Sequence, residues 1–248
     1  MAKKEVAVRE QGELALTGQV PDFLQQYGAV GNESVGVEDI VIPRLGLIQS
    51  LSPEVDDSDP KYIEDAKPGD FFNSLTREVY ASPVSVVFVD RKKEFTVFKK
   101  RSAGGGFRGS FGSEAEAKIA IQTGDDPIDQ MEIVETAMNF GLILNADNKV
   151  ISEIVIPMTS TKLKVDRQIN SMIRLRGAAR FASVFYLEST KEKNDKGTFY
   201  NIKATIGPWV TADIAAAAKR MYDAIHSGDR RVDSEYETEA ATVDAEAF

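Results

Sequence analysis

The sequence predicts a mainly β fold with helices, an α+β chain. Three observations predict it. Runs rich in β-formers recur between residues 84 and 158. A helical stripe over 161–176 is followed by a two-stranded hairpin pattern over 183–206, and a second helical stripe follows Thr211.

Taken in order, residues 1–38 are rich in Gly, Glu and Gln, with one short helix expected at Asp22–Tyr27. Ile40 to Leu45 predicts a short extended entry, and Ser52 to Pro60 a loop on turn chemistry alone. Lys67-Pro68-Gly69-Asp70 is a tight turn before Phe71 and Phe72. Val84–Val89 predicts a buried strand, and Glu94–Lys99 a second, joined as a hairpin across a short basic connection. Ser113-Glu114-Ala115-Glu116 matches a capping box opening a helix to about Gln122. Met131–Leu144 and Val150–Met158 are two further strands, with hairpin chemistry at Asn145-Ala146-Asp147-Asn148.

Ser160 or Thr161 is expected to cap the next helix, where Val165, Ile169, Met172 and Ile173 share one face. The last hairpin pairs Ser183–Lys191 with Thr198–Ile206. Ile214, Ala217, Ala218, Met221, Tyr222 and Ile225 form the stripe of the final helix, which ends before Gly228. Strands, a helix, then a hairpin is the order of an OB-fold-like Greek-key barrel, whose helix falls between strands three and four. An open α+β sheet has the same order. The expected organisation is a flexible N-terminal arm (1–38), an OB-like core with a C-terminal helix (39–228) and a disordered acidic tail (229–248).

Composition narrows the classes. With 42% apolar residues among 248 the chain can bury a sizeable core. It lacks cysteine and any apolar run of membrane-spanning length, and its basic first residues lead into no apolar stretch. Cytoplasm and no membrane partner are the expectations. The net charge is −9, but it is unevenly placed. Residues 71–228 carry 22 bases against 18 acids, while 33–70 and 229–248 are net acidic. A mildly basic body between acidic segments suits a polyanionic partner better than the total suggests.

No enzyme is expected. The single histidine, His226, stands near a helix end, where a cation is expected structurally. No cluster has metal-ligand spacing and no phosphate-binding glycine loop occurs. Asp125, Asp126 and Asp129 read as a turn rather than a Mg²⁺ site, so neither metal nor cofactor is expected.

The strongest local signal is residues 91–111, with seven bases, one acid and four phenylalanines. Arg91, Lys92, Lys93, Lys99, Lys100, Arg101 and Arg108 supply a cationic track. Phe98, Phe107 and Phe111 supply faces for base stacking, which is how single strands are held without sequence preference. Gly104-Gly105-Gly106 gives a loop with close backbone approach. Phe107 and Phe111 have no evident core to enter. Lys162, Lys164, Arg167, Arg174, Arg176 and Arg180 form a second basic set, against only Asp166, for which a plain solvated helix face is the competing reading. Lys191, Lys193, Lys196 and Lys203 form a third at the last hairpin, with Tyr186, Phe199 and Tyr200 alongside as further stacking candidates. From Val232 to Phe248 there are six acids and no base. The terminal Asp244, Glu246 and Phe248 form a compact docking peptide, where a merely solubilising tail would not need to end on Phe.

A basic β-rich body followed by an acidic tail ending in Phe resembles the single-stranded-DNA-binding proteins of tailed-phage replication systems. Ile42-Pro43-Arg44-Leu45 through Gly69-Asp70-Phe71-Phe72-Asn73, with Gly104–Phe107 and Ser160–Lys164, is also similar to small phage proteins found among replication genes. The resemblance implies an OB-fold core, single-stranded DNA as ligand, and a tail that recruits replication proteins such as polymerase or primase-helicase. In this tail Ala, Thr and Val space the acids, a departure from the denser examples. A homodimer is left open. The alternatives are a single-strand annealing recombinase that forms oligomers and a phage structural or host-interaction protein without a DNA role.

Overall fold

The computed structural model describes residues 22–28, 30–35, 40–194, 197–228 and 231–232. Two compact units divide the chain, Met1–Ser34 and Val35–Phe248. The first contributes the short helix α1 (Asp22–Gln25). Much of the arm 1–38, most of the tail 229–248 and Lys196 lie outside the described residues.

The second unit is mainly β, with eleven strands and three helices among its described residues. Its centre is β5 (Val84–Lys99), which pairs along its whole length with β7 (Met131–Leu144), and β7 pairs in turn with β8 (Val150–Thr159). On the other side of β5, Val84–Val86 pair with β9 (Ser183–Asn194), whose hairpin partner is β10 (Gly197–Trp209). Further along that side, Phe95–Phe98 pair with β6 (Phe107–Phe111). All these pairs are antiparallel, and the order is β10-β9-β5-β7-β8 with β6 beside the far end of β5.

The hairpin expected within 84–99 is therefore one continuous strand. Arg91, Lys92 and Lys93 lie opposite Asn139, Met138 and Ala137, with a bulge between Phe88 and Asp90. A run of three cations reads as a connection in the sequence, yet it alternates across a sheet as readily as any other run. The remaining strand and helix expectations in this stretch hold to within a few residues. α2 is Glu114–Thr123, with the Ser113 side chain accepting from Glu116 N–H. α3 is Lys162–Arg176, but Thr161 at its N-cap makes no side-chain cap bond, because its backbone is already helical (φ −62°, ψ −31°). α4 is Ala212–His226, capped by Thr211.

The two faces of the main sheet fill differently. On the inner face Val84, Val86, Phe88, Ile154, Ile156, Met158 and Phe185 pack with Val165 and Ile169 of α3. The rings of Phe88 and Phe185 meet edge-on at 5.2 Å. On the outer face Val87, Val89, Met138, Phe140, Leu142 and Val155 pack under Ile214, Ala218, Met221 and Ile225 of α4. Each large apolar side chain so buried contributes about 1.5–3 kcal/mol.

Residues 41–80 form short strands: β1 (Val41–Ile42), β2 (Leu45–Leu47), β3 (Phe71–Asn73) and β4 (Val79–Tyr80). β2, β3 and β4 make a small sheet of their own, and β1 pairs in parallel with β11 (Arg231–Val232). This stretch touches both edges of the main sheet. Val155 N–H of β8 donates to Pro43 C=O at 2.8 Å. The buried Gln49 amide meets the backbone of Tyr200 in β10, donating to its C=O at 3.0 Å and accepting its N–H at 2.8 Å. One glutamine thus satisfies an edge residue as a neighbouring strand would. Gln49→Ala is expected to lower stability by about 1–2 kcal/mol, since two backbone groups lose their partners. Gln49→Met, which keeps the bulk, should lose nearly as much. Urea unfolding checks this; an unchanged midpoint for Gln49→Met would show that only the volume matters.

Candidate nucleic-acid interface

The far end of β5, with β6 and β7, forms an arm beyond the region that α4 covers. Alternation decides which residues face which way. Phe95, Val97, Met131 and Ile133 face α2, where Ala117 and Ile121 complete a small core. Phe111 joins that cluster, so it does have a core to enter: β6 aligns it opposite Phe95. On the reverse face, Phe98 is buried and Phe107 stands edge-on against it at 6.0 Å, with 38% of Phe107 exposed. The two loop phenylalanines therefore part company, and Phe107 is the one left at the surface. The turn that brings β6 back has positive φ at Gly104, Gly105 and Gly106, which admits glycine alone without strain.

The cations of 91–111 are more heavily partnered than their density in the sequence suggests. Arg91 makes a bidentate pair with Asp166 of α3, its Nη2 at 2.7 Å. Lys93 pairs with Glu135 at 2.6 Å and lies over the Phe95 ring. Lys99 and Arg108 converge on one carboxylate, Asp126, at 2.7 and 2.6 Å. Those two bonds hold the Asp126 carboxyl down to about 2. Lys100 donates to the Asp129 carbonyl at 2.8 Å, and Lys92, with an exposed side chain, lies 5.6 Å from the Phe140 ring centre. Asp126 is thus a counter-ion of the arm. Among the described residues no group of three or more His, Cys, Asp or Glu is placed to hold a metal.

Asp166 anchors a buried polar network that the sequence reading missed. Besides Arg91 it accepts from Asn139 Nδ2 at 2.9 Å and Asn170 Nδ2 at 3.1 Å. Arg180 closes the ring, donating to the side-chain carbonyls of Asn139 and Asn170 at 2.7 Å each. Burial pushes the Asp166 carboxyl up, but the bonds from Arg91 and Asn139 and the two guanidinium charges outweigh it, leaving it below its ordinary value. The only hint in the sequence is a lone acid in a basic helix.

A family model, described as Pam3 phage gp34-like protein, matches residues 10–231. The chain belongs to that phage protein family. No curated protein and no solved structure matches it. The match takes in every element from α1 to the first residue of β11, so the arm and the Asp166 network lie within this gp34-like region, whereas Val232–Phe248 lies beyond it. No helix among the described residues is long and apolar enough to cross a membrane.

The remaining candidates of this gp34-like chain are dispersed. Lys164, Arg167 and Arg174 are exposed on α3, and Lys162 is half-buried in its first turn. Lys191 and Lys193 are exposed near the β9–β10 tip, with the Lys191 ammonium 5.9 Å from the Tyr200 ring centre. That tip projects past Val84, the opposite end of β5 from Phe107, so the structure does not gather the first and third basic sets at one point. The side chain of Arg101, Lys196 and the tail residues Asp244, Glu246 and Phe248 lie outside the described residues. One exposed aromatic went unnoticed in the sequence: Trp209, against which Arg176 stacks at 4.5 Å. Its signal was available, as the sole tryptophan following a Gly-Pro pair.

Proposed function

We propose that this phage protein binds single-stranded DNA with little sequence preference during DNA replication or recombination, on an OB-like body without catalytic activity. The observation that carries the reading is Phe107, half-exposed on the outer face of the β5–β6–β7 arm. It rests on Phe98, with Lys92, Lys99, Lys100 and Arg108 on the same arm. An aromatic face beside cations is the arrangement that holds a base and its phosphate together. The strand order supports the OB reading. β5-β7-β8, then α3, then β9-β10, with β9 beside β5, is the succession of an OB barrel's five strands with its helix after the third. On that reading β5–β7 and β9–β10 are joined by the two loops that grip oligonucleotides in the fold. The acidic segment to Phe248 would recruit replication proteins such as polymerase or primase-helicase, from a start anchored where β11 pairs with β1.

The test is anisotropy of labelled dT oligomers titrated with protein at two salt concentrations, against a matched duplex. Binding of the single strand alone, weakening steeply with salt, is expected. Phe107→Ala should weaken it by about 1–3 kcal/mol, while Phe111→Ala should act through the stability of the α2 cluster. Failure of folded protein to bind the single strand refutes the proposal.

A further inference from the structure

Trp209 is the chain's one tryptophan, and 55% of it is exposed. It stands at the end of β10, just past the irregularity that Gly207 and Pro208 make in the pairing with β9. Such bulges re-aim a side chain out of the regular alternation. The indole is held in a built setting. Arg176, in the last turn of α3, lies over its ring at 4.5 Å and also donates from Nη2 to Gly207 C=O at 2.8 Å. A Cβ at Gly207 would sit 2.7 Å from the Tyr186 ring, so this backbone is pressed against an aromatic floor. The guanidinium is thus fixed by a carbonyl and stacked on an indole that still exposes half its surface. Exposing so large an apolar body has a cost in water that nothing in the core packing requires.

The two segments that meet at it, around Arg176 and around Trp209, carry bases and no acid. Residues 167–180 and 203–211 contain Arg167, Arg174, Arg176, Arg180 and Lys203 and no acid; the next acid, Asp213, starts α4. Arg180 is used in the Asp166 network and Lys203 pairs with Glu188, while Arg167 and Arg174 are exposed. Indole and guanidinium side by side, with further arginines on the same helix, match a nucleobase and its phosphates better than they match an apolar protein surface.

We infer that Trp209, positioned by Arg176, is a second base-stacking site for single-stranded DNA, on different elements from the Phe107 arm. The inference rests on the single-strand reading, and the experiment separates the two. Unlabelled dT oligomer is titrated into the full chain while tryptophan emission is followed, in parallel with anisotropy of the labelled oligomer. With one tryptophan, quenching reports Trp209 alone. Quenching that saturates together with the anisotropy is expected. Trp209→Ala should weaken binding by on the order of tenfold with its unfolding midpoint little changed, and Trp209→Phe should restore most of the affinity, since any π face serves. Anisotropy that rises without quenching, and an unchanged affinity in Trp209→Ala, overturns the site and leaves single-strand binding intact. Absence of both signals overturns both. A blue shift of the emission that grows with protein concentration alone, without DNA, assigns the patch to self-association and also overturns the site.

Discussion

Asp166→Ala is expected to destabilise the protein by about 3–5 kcal/mol, the cost of removing one partner from a buried ion pair. The side chain is 1% exposed, and its loss leaves Arg91 and Arg180 facing one another across Asn139 and Asn170 without the carboxylate between them. These residues come from β5, β7, α3 and the turn before β9, so one carboxylate ties the strands to the helix on their inner face. Denaturant unfolding should show a lower midpoint with an unchanged slope. The pH dependence has a definite sign. The folded carboxyl lies below its unfolded value, so its contribution is complete above about pH 4 and is lost as pH falls through the folded value. The gap between parent and Asp166→Ala should therefore narrow in acid. A gap that stays constant down to pH 2 would show that Asp166 acts by packing rather than charge.

If the chain binds single strands as proposed, Asp126→Asn is expected to tighten that binding several-fold and to steepen its salt dependence. Asp126 occupies Lys99 and Arg108 as a phosphate would, and each cation released to the DNA adds about 0.7 to the slope of log affinity against log salt. Mild acid will not imitate the substitution. Held down to about 2, the carboxyl stays charged wherever the protein is handled, and only as pH falls through that value is its hold on the two cations lost. Anisotropy at several salt concentrations decides it. Weaker binding in Asp126→Asn would mean that the carboxylate instead holds the two cations in the geometry DNA needs.

Much of the fold was legible because its signals are local. β7 and β8 declare themselves by β-formers and the turn between them, α2 by its capping box, α4 by one apolar stripe. What escaped is what depends on distant partners. Arg91 looked like a phosphate contact because Asp166 lies 75 residues away. Asp126 looked like a turn residue because the cations it serves precede it by 27 and 18 residues. Gln49 gave no sign of completing an edge at Tyr200, 151 residues on. Of the site, the sequence named Phe107 and its neighbouring cations; it could not tell Phe107 from Phe111, since which of the two meets α2 is a matter of register.

The length of β5 bears on how the chain is made. A ribosome that has delivered Thr159 has released the β5–β7–β8 meander, but β9 and β10, which lie on the other side of β5, end fifty residues later at Trp209. At the usual pace of synthesis that is a wait of a few seconds with a long strand edge open to any other nascent chain. Arg91, Lys92 and Lys93 sit in the middle of that edge, where charge discourages pairing with a stranger. The cations that disguise the strand in the sequence also guard the stretch of that edge, between Val86 and Phe95, that neither β9 nor β6 pairs with in the finished fold.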